Sequence, residues 1–363
     1  MFFTVIFMVI IHIACIDTSL LGGVQVAVPQ MVKAQSNYSS VGFINTHGDV
    51  IDGIQMLKYG KVFDLDNFPV PFNCPDVVIF HEVYRFEYIE IYKVLLKAKV
   101  PYIIIPHGCL SKQAQKRKFI KKLVGNVLFF NRFIKSACAV QYLSDNEALM
   151  SAFPQYPSFV SGNGITAPQT KKESFFENGV KFVYIGRLEI KTKGLDLLLK
   201  AVKLCEVPMR QVNSRVEIYG PDYDGAHTFL REMINSLGIS DIVSVYAETV
   251  GKEKEKVLLS SDCFIQTSRT EGLPLGPLEA LSYGLPCIVT TGVGLGELIE
   301  TYGAGYRCAT SAEGIADAIK RFVSDTEMIE VMSSAAVKLS EKKFNRDVIA
   351  RKTVDKYSQT VEK

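Results

Sequence analysis

A chain of 363 residues is long for one compact core and ample for two domains of ordinary size. With 48% apolar and 22% charged residues it has globular composition, and a net charge of +3 is too small to mark nucleic acid as its partner. The eight cysteines contain no C-x-x-C pair, which excludes a zinc framework; they read as small buried apolar residues in a reducing compartment.

Residues 1–16 are almost wholly apolar, but they lack the basic n-region of a signal peptide and stop at Asp17, short of the roughly 20 residues that span a bilayer. The stretch 10–16 predicts a buried first strand, with Met8 as the effective start and Met1–Phe7 as an extension. A membrane anchor is the alternative reading. Further short apolar runs follow at 40–45, 77–80, 102–106 and 139–143, then at 181–185, 216–219, 243–246, 263–267 and 287–291. Each has the length of a strand buried on both faces.

Between these runs lie stretches with helical spacing, such as Leu195, Leu198, Leu199 and Val202, or Ile315, Ala318, Ile319 and Phe322. Alternating strand and helix predicts parallel sheets covered by helices, and two sets of about five strands predict two doubly wound α/β domains. The polar run 166–179 is the linker candidate, and a helical tail breaks near Phe344-Asn345. The expected divisions are 1–167, 168–340, and a terminal helix 341–363 that crosses back to the first domain. In such sheets ligands bind beyond the carboxyl ends of the strands, so chemistry is sought in the loops that follow them.

The densest such loop is Ser268-Arg269-Thr270-Glu271-Gly272-Leu273-Pro274-Leu275-Gly276-Pro277-Leu278-Glu279-Ala280, between a strand and a helix that Gly284 and Pro286 terminate. A helix start with open amides at Leu275 and Gly276 suits a phosphate. Glu271 in the loop and Glu279, expected in the first helical turn, suit hydroxyls on either side of a diphosphate. Read singly, each glutamate is more simply a solvated loop residue or a dipole complement.

Two glutamates spaced in this way, with Tyr283-Gly284-Leu285-Pro286 and Gly292-Val293-Gly294 following, resemble the signature of the family 4 retaining glycosyltransferases. The resemblance implies a GT-B fold: two Rossmann-like domains facing across a cleft, the N-terminal one binding acceptor and the C-terminal one a nucleotide-sugar donor. It implies that Glu271 contacts the donor sugar and Glu279 the ribose. It also implies retention by same-face attack, no metal, and no cofactor beyond a UDP- or GDP-sugar as donor substrate.

Tyr184-Ile185-Gly186-Arg187, followed by Lys193-Gly194, is similar to the family's phosphate clamp, so Arg187 and Lys193 are the cations expected to offset the departing charge. Lys191 is expected to face solvent. The resemblance further points to Gly22-Gly23 after the first strand, His107 as a sugar-hydroxyl contact, Asn163 at the domain junction, and Tyr219-Gly220 near the base. His81-Glu82 is a weaker candidate for the same cleft. Pro277, where the family commonly has valine, is a departure. Specific likeness runs only from about Phe182 to Ile299; the N-terminal half agrees in outline.

From Ile91 to Ser144 there is no Asp or Glu, while eleven Lys and Arg residues occur, among them Lys112, Lys116, Arg117, Lys118, Lys121 and Lys122. Phe119, Ile120, Leu123, Val124 and Val127 form an apolar stripe within it. This basic amphipathic pattern fits either ordinary core packing under a solvated face or contact with anionic headgroups. The second fits a saccharide or polyprenyl-diphosphate-linked acceptor, surface polysaccharide biosynthesis, and a cytoplasmic protein at the inner face of the plasma membrane. The rival readings are an NAD(P)-dependent enzyme using Gly292-Val293-Gly294-Leu295-Gly296, whose spacing is not G-x-G-x-x-G, and a non-catalytic sugar-nucleotide binding module.

Overall fold

The computed structural model describes residues 8–20, 22–58, 60–116, 119–176 and 179–362. Met1–Phe7, and with them the reading of Met8 as the start, lie outside the described residues, as do Leu21, Arg117 and Lys118. The chain divides into two compact units: one formed by the residues up to 164 together with 346–363, the other by residues 165–345.

Unit 1 holds six parallel strands: β1 (Val9–Ala14), β2 (Ser40–Asn45), β3 (Val77–His81), β4 (Tyr102–Ile105), β5 (Ala139–Tyr142) and β6 (Ser158–Val160), in spatial order β2-β1-β3-β4-β5-β6. β3 and β4 are buried along their whole length. That burial is why they read as unbroken apolar runs rather than alternating ones. Their core gathers Phe80, Tyr88, Tyr102 and Phe133, all fully buried. The helix Arg346–Val361 completes this unit by packing on the helix Gly23–Gln35.

Unit 2 holds β7 (Lys181–Ile185), β8 (Arg215–Tyr219), β9 (Val243–Tyr246), β10 (Cys263–Gln266), β11 (Cys287–Thr290) and β12 (Gly305–Cys308), in the order β12-β11-β10-β7-β8-β9. Each sheet has one strand more than the sequence predicts. β6 is exposed or half-buried, and only the first half of β12 is buried, so neither shows a continuous apolar run.

The polar run read as a linker is docked on unit 2 as far as it is described. The buried Lys172 ammonium lies 3.3 Å from the Asp262 carboxylate, and the Lys172 amide donates to the Tyr283 carbonyl at 2.9 Å. The tail breaks where its sequence places the break: Asn345 leaves the helix Ile329–Phe344 with φ −57° and ψ 120°. Among the described residues no helix is long and apolar enough to cross a membrane.

In both sheets the strand order reverses beside the first strand of the unit. The crevices lie between β1 and β3 in unit 1 and between β7 and β10 in unit 2, and such reversals are where open α/β sheets hold ligands.

Candidate active site

In unit 2 the reversal sets the loop after β7, carrying Gly186, Arg187 and Lys193, beside the loop after β10, carrying Thr267 to Glu271. The two loops are stitched together. Gly194 adopts φ +67°, and a Cβ there would sit 2.1 Å from the Thr267 carbonyl oxygen. The Thr267 hydroxyl donates to the Lys193 carbonyl at 3.0 Å. The Arg269 amide donates to the Thr192 carbonyl at 2.8 Å, and its guanidinium forks Asp196 through two bonds of 2.7 Å. Burial works against the Asp196 charge, but these guanidinium bonds outweigh it and hold the carboxyl below its usual range.

This stitching brings Lys193 and Glu271 together, Nζ to Oε2, at 2.7 Å, and the Ser268 hydroxyl donates to the same oxygen at 3.3 Å. The Glu271 backbone is clamped as well: its amide donates to the Gly292 carbonyl at 2.8 Å and its carbonyl accepts from the Gly294 amide at 3.0 Å. A Cβ on Gly292 would lie 2.5 Å from the carbonyl oxygens of Ser268 and Arg269. The glycines that suggest a dinucleotide loop therefore serve a close approach that positions Glu271.

The helix Leu275–Tyr283 starts from Pro274 at φ −70° and ψ 138°, and no side chain caps it. Its first-turn amides, with Gly272, Leu273 and Pro274 leading in, are thus presented at the crevice. Gly276 lets this turn press on β7 and β10: a Cβ would lie 2.9 Å from the Phe264 ring and 3.2 Å from the Ile185 carbonyl. Because the helix begins at Leu275, Glu279 falls in its second turn, not its first as the sequence suggested. Glu279 does not join Lys193; it pairs with Lys254.

Arg187 is half-exposed, bonded to Glu189 at 2.9 Å and stacked 4.9 Å from the Tyr223 ring centroid. Lys191 is exposed. Tyr219 stacks on Tyr246 with centroids 4.7 Å apart, and Gly220 lies so close to the Gly186 carbonyl that a Cβ would meet it at 1.9 Å.

In unit 1 a column of histidines runs from inside β1 to the ends of β3 and β4. His12 on β1, His81 on β3 and His107 after β4 are linked at 2.9 Å: His12 Nδ1 to His81 Nε2, and His81 Nδ1 to His107 Nε2. His12 Nε2 meets Gln35 Oε1, also at 2.9 Å. Burial lowers His12 to about 4, His107 to about 4, and His81 well below the ordinary imidazole value. His107, half-buried, and Gly108 turn the chain with φ +49° and +82°, and the Glu147 carboxylate accepts the amides of Gly108 and Leu143.

His81 is fully buried in the column and does not open outward as the sequence suggested, whereas Glu82 stays partly exposed and pairs with Arg85 at 2.8 Å. Gly22 caps the helix that begins at Gly23. Asn163 is buried, with no hydrogen bond to its Oδ1. Asp17, His47 and Asp49 bring candidate metal-ligating atoms within 4.8 Å of one another, and His47 Nδ1 bonds to Asp49 at 3.0 Å.

Sequence reasoning missed His12, Gln35, Asp196, Lys254 and Arg269. Arg269 stands inside the main motif and could have been found there; the others act across non-local contacts that no local spacing displays.

Residues 166–339 match the family model described as Glycosyl transferases group 1. An uncharacterised glycosyltransferase of Methanocaldococcus jannaschii is 36% identical over 118 residues, which is 32% of this chain and 27% of that protein. Mannosylfructose-phosphate synthase of Agrobacterium fabrum is 27% identical over 139 residues, 37% of this chain and 30% of that protein. WcaL of Escherichia coli, a candidate colanic acid biosynthesis glycosyltransferase, is 26% identical over 180 residues, 47% of this chain and 43% of that protein. The chain thus matches between about a quarter and a half of the length of these curated relatives.

Among solved structures, HepE of Anabaena in complex with UDP superposes with a TM-score of 0.75 at 16% identity, covering 97% of this chain and 100% of that one. WaaG, a glycosyltransferase involved in lipopolysaccharide biosynthesis, does so with 0.69 at 14% identity, covering 96% and 100%. The chain has the GT-B fold, and residues 166–339 carry its match to the group 1 glycosyl transferases.

Proposed function

We propose that this chain is a retaining glycosyltransferase that moves a sugar from a UDP- or GDP-sugar to a saccharide or lipid-linked saccharide acceptor, in surface polysaccharide biosynthesis. The observation that carries the reading is the Lys193–Glu271 pair set beside an uncapped helix start at the strand-order reversal of unit 2. The diphosphate takes the first-turn amides of the helix Leu275–Tyr283 together with Arg187 and Lys193. Those cations offset the charge that builds as the bond between the anomeric carbon and the phosphate oxygen breaks. Glu271 accepts from donor-sugar hydroxyls and Glu279 from the ribose diol. The acceptor hydroxyl attacks from the face the diphosphate leaves, and the departing phosphate oxygen takes its proton. The reading assigns no metal, because Arg187 and Lys193 would supply the positive charge the departing diphosphate needs.

In this reading unit 1 binds the acceptor, His107 contacts a sugar hydroxyl, Gly22 and Gly23 approach a phosphate or the acceptor, Asn163 contacts the bound ligand, and Tyr219 and Gly220 lie by the nucleobase. The protein works in the cytoplasm at the inner face of the plasma membrane. Support for membrane contact comes from the segment 119–129, where Ile120 is 75% and Val127 69% exposed among Lys112, Lys116, Lys121 and Lys122. Apolar side chains left in water within a basic segment fit an anionic bilayer better than a solvated face.

A panel of UDP- and GDP-sugars screened by thermal shift, followed by turnover with the stabilising donor, tests the assignment. Donor-dependent release of nucleotide diphosphate that Glu271→Gln abolishes is the expected result. Stabilisation without turnover favours a binding module, and no response to any donor overturns the reading.

A further inference from the structure

The histidine column has a direction, and that direction fixes what His107 can offer a ligand. Four side chains, Gln35, His12, His81 and His107, are joined by three contacts of 2.9 Å. Each gap admits one proton. A neutral imidazole carries one proton in all. Gln35 presents its carbonyl oxygen to the column, so His12 donates from Nε2 and its Nδ1 accepts. His81 then donates from Nε2 to His12, and its Nδ1 accepts in turn. His107 must donate from Nε2 to His81. Three protons fill three gaps, and His107 Nδ1 is left bare.

Gln35 turns its oxygen to His12 and its amide nitrogen away from it. Tyr357 donates its hydroxyl to Gln141 Oε1 at 2.7 Å, which leaves only a lone pair on the phenol for the neighbouring Gln35 amide. Gln35 Nε2 is buried and finds no partner within hydrogen-bond distance. Gln141 is fixed as well, its amide donating to the Ser161 carbonyl at 2.9 Å. An amide pointed the other way would set the Gln35 oxygen against the phenol's lone pairs.

We propose that Gln35, His12 and His81 are positioning residues that hold His107 as the Nε2–H tautomer, so that its Nδ1 serves a ligand as a hydrogen-bond acceptor and not as a donor. His107 therefore selects a partner that has a proton to give, such as a sugar hydroxyl, over a deoxy or fluoro analogue at the same carbon. That the partner is a sugar hydroxyl rests on the glycosyltransferase reading; the tautomer does not.

The test is long-range proton–nitrogen NMR on the uniformly 15N-labelled full chain at pH 7. The chain has five histidines, each assigned by single substitution. The expected spectrum shows His12, His81 and His107 with the proton on Nε2 and a bare Nδ1. Gln35→Leu removes the directing acceptor and mixes both tautomers at His107. Gln35→Glu keeps an acceptor and keeps the wild-type pattern. A His107 carrying its proton on Nδ1 in the wild-type protein overturns the proposal, and that spectrum is decisive even if Gln35→Leu does not fold. A folded Gln35→Leu protein whose His107 tautomer is unchanged overturns it too.

UDP-glucose turnover forms the second arm. Losing the column's direction should lower it about tenfold, the weight of one net hydrogen bond, with rescue by Gln35→Glu. If the spectra hold and UDP-glucose is untouched, as are the other donors of the panel, the glycosyltransferase reading fails and the tautomer assignment stands.

Discussion

Arg269 holds Asp196 through two parallel bonds of 2.7 Å, and through them the loop that carries Glu271 is tied to the helix Leu195–Leu204 behind the loop that carries Lys193. Neither residue need touch a substrate, yet together they set the spacing of Lys193 and Glu271. Because the pair keeps partial contact with solvent, Arg269→Ala should cost modest stability, about 1 kcal/mol. It should lower kcat/KM at least tenfold, since small misplacements of reacting groups are costly. Melting curves and donor kinetics on one preparation check both halves, and a large fall in melting temperature with kinetics intact would contradict them.

Lys193 and Glu271 should behave as a unit. Lys193→Ala and Glu271→Gln are each expected to lower turnover by roughly a hundredfold or more, the usual scale for losing a group that stabilises developing charge. The double variant should be little worse than either single one. A double-mutant cycle on turnover measures this, and fully multiplicative losses would place the two residues in separate roles.

Lys254 occupies Glu279 in this structure. If Glu279 accepts from the ribose diol, the ammonium competes with the nucleotide, and Lys254→Met should tighten UDP binding several-fold, the weight of a partly exposed ion pair. Titration calorimetry with UDP reads this directly. Weaker binding would mean that Lys254 assists the nucleotide.

The histidine column makes unit 1 sensitive to acid. His12 and His107 have folded values lowered to about 4, so the unfolded chain takes up their protons first as pH falls below the ordinary imidazole value. Stability from these groups is present in full above about pH 6.5 and declines as pH falls towards 4, at up to about 1.4 kcal/mol per pH unit per imidazole. Urea unfolding between pH 7 and 4.5 should show the transition of unit 1 moving to lower urea. In His12→Phe the movement should be smaller.

The segment 119–129 should bind vesicles rich in phosphatidylglycerol at low salt and release them as salt rises. Ile120→Glu with Val127→Glu should abolish binding without changing melting temperature, because both side chains already lie in water. Flotation assays decide it.

Much of this was legible in the sequence, for identifiable reasons. Strands such as Tyr102–Ile105 are buried on both faces and announce themselves as apolar runs, whereas Ser158–Val160 sits at an edge and does not. Lys193 and Glu271 could be picked out because each lies in the connection that follows a strand at the sheet's reversal point. Lys254, Asp196 and Gln35 could not, because what they do depends on partners 25, 73 and 23 residues away. His81 misled because a histidine at a strand end looks like a contact residue; here it is an interior link.

The terminal helix Arg346–Val361 gives the two units unequal histories. Residues 165–345 are continuous and need no later segment to complete their fold. Unit 1 does. It is discontinuous, and its early residues close only when Arg346 reaches Gln30 and Tyr357 reaches Gln141. Until that helix arrives, the Gln35 end of the column stays open to water, and the part of the molecule that matures late is the part that holds His107.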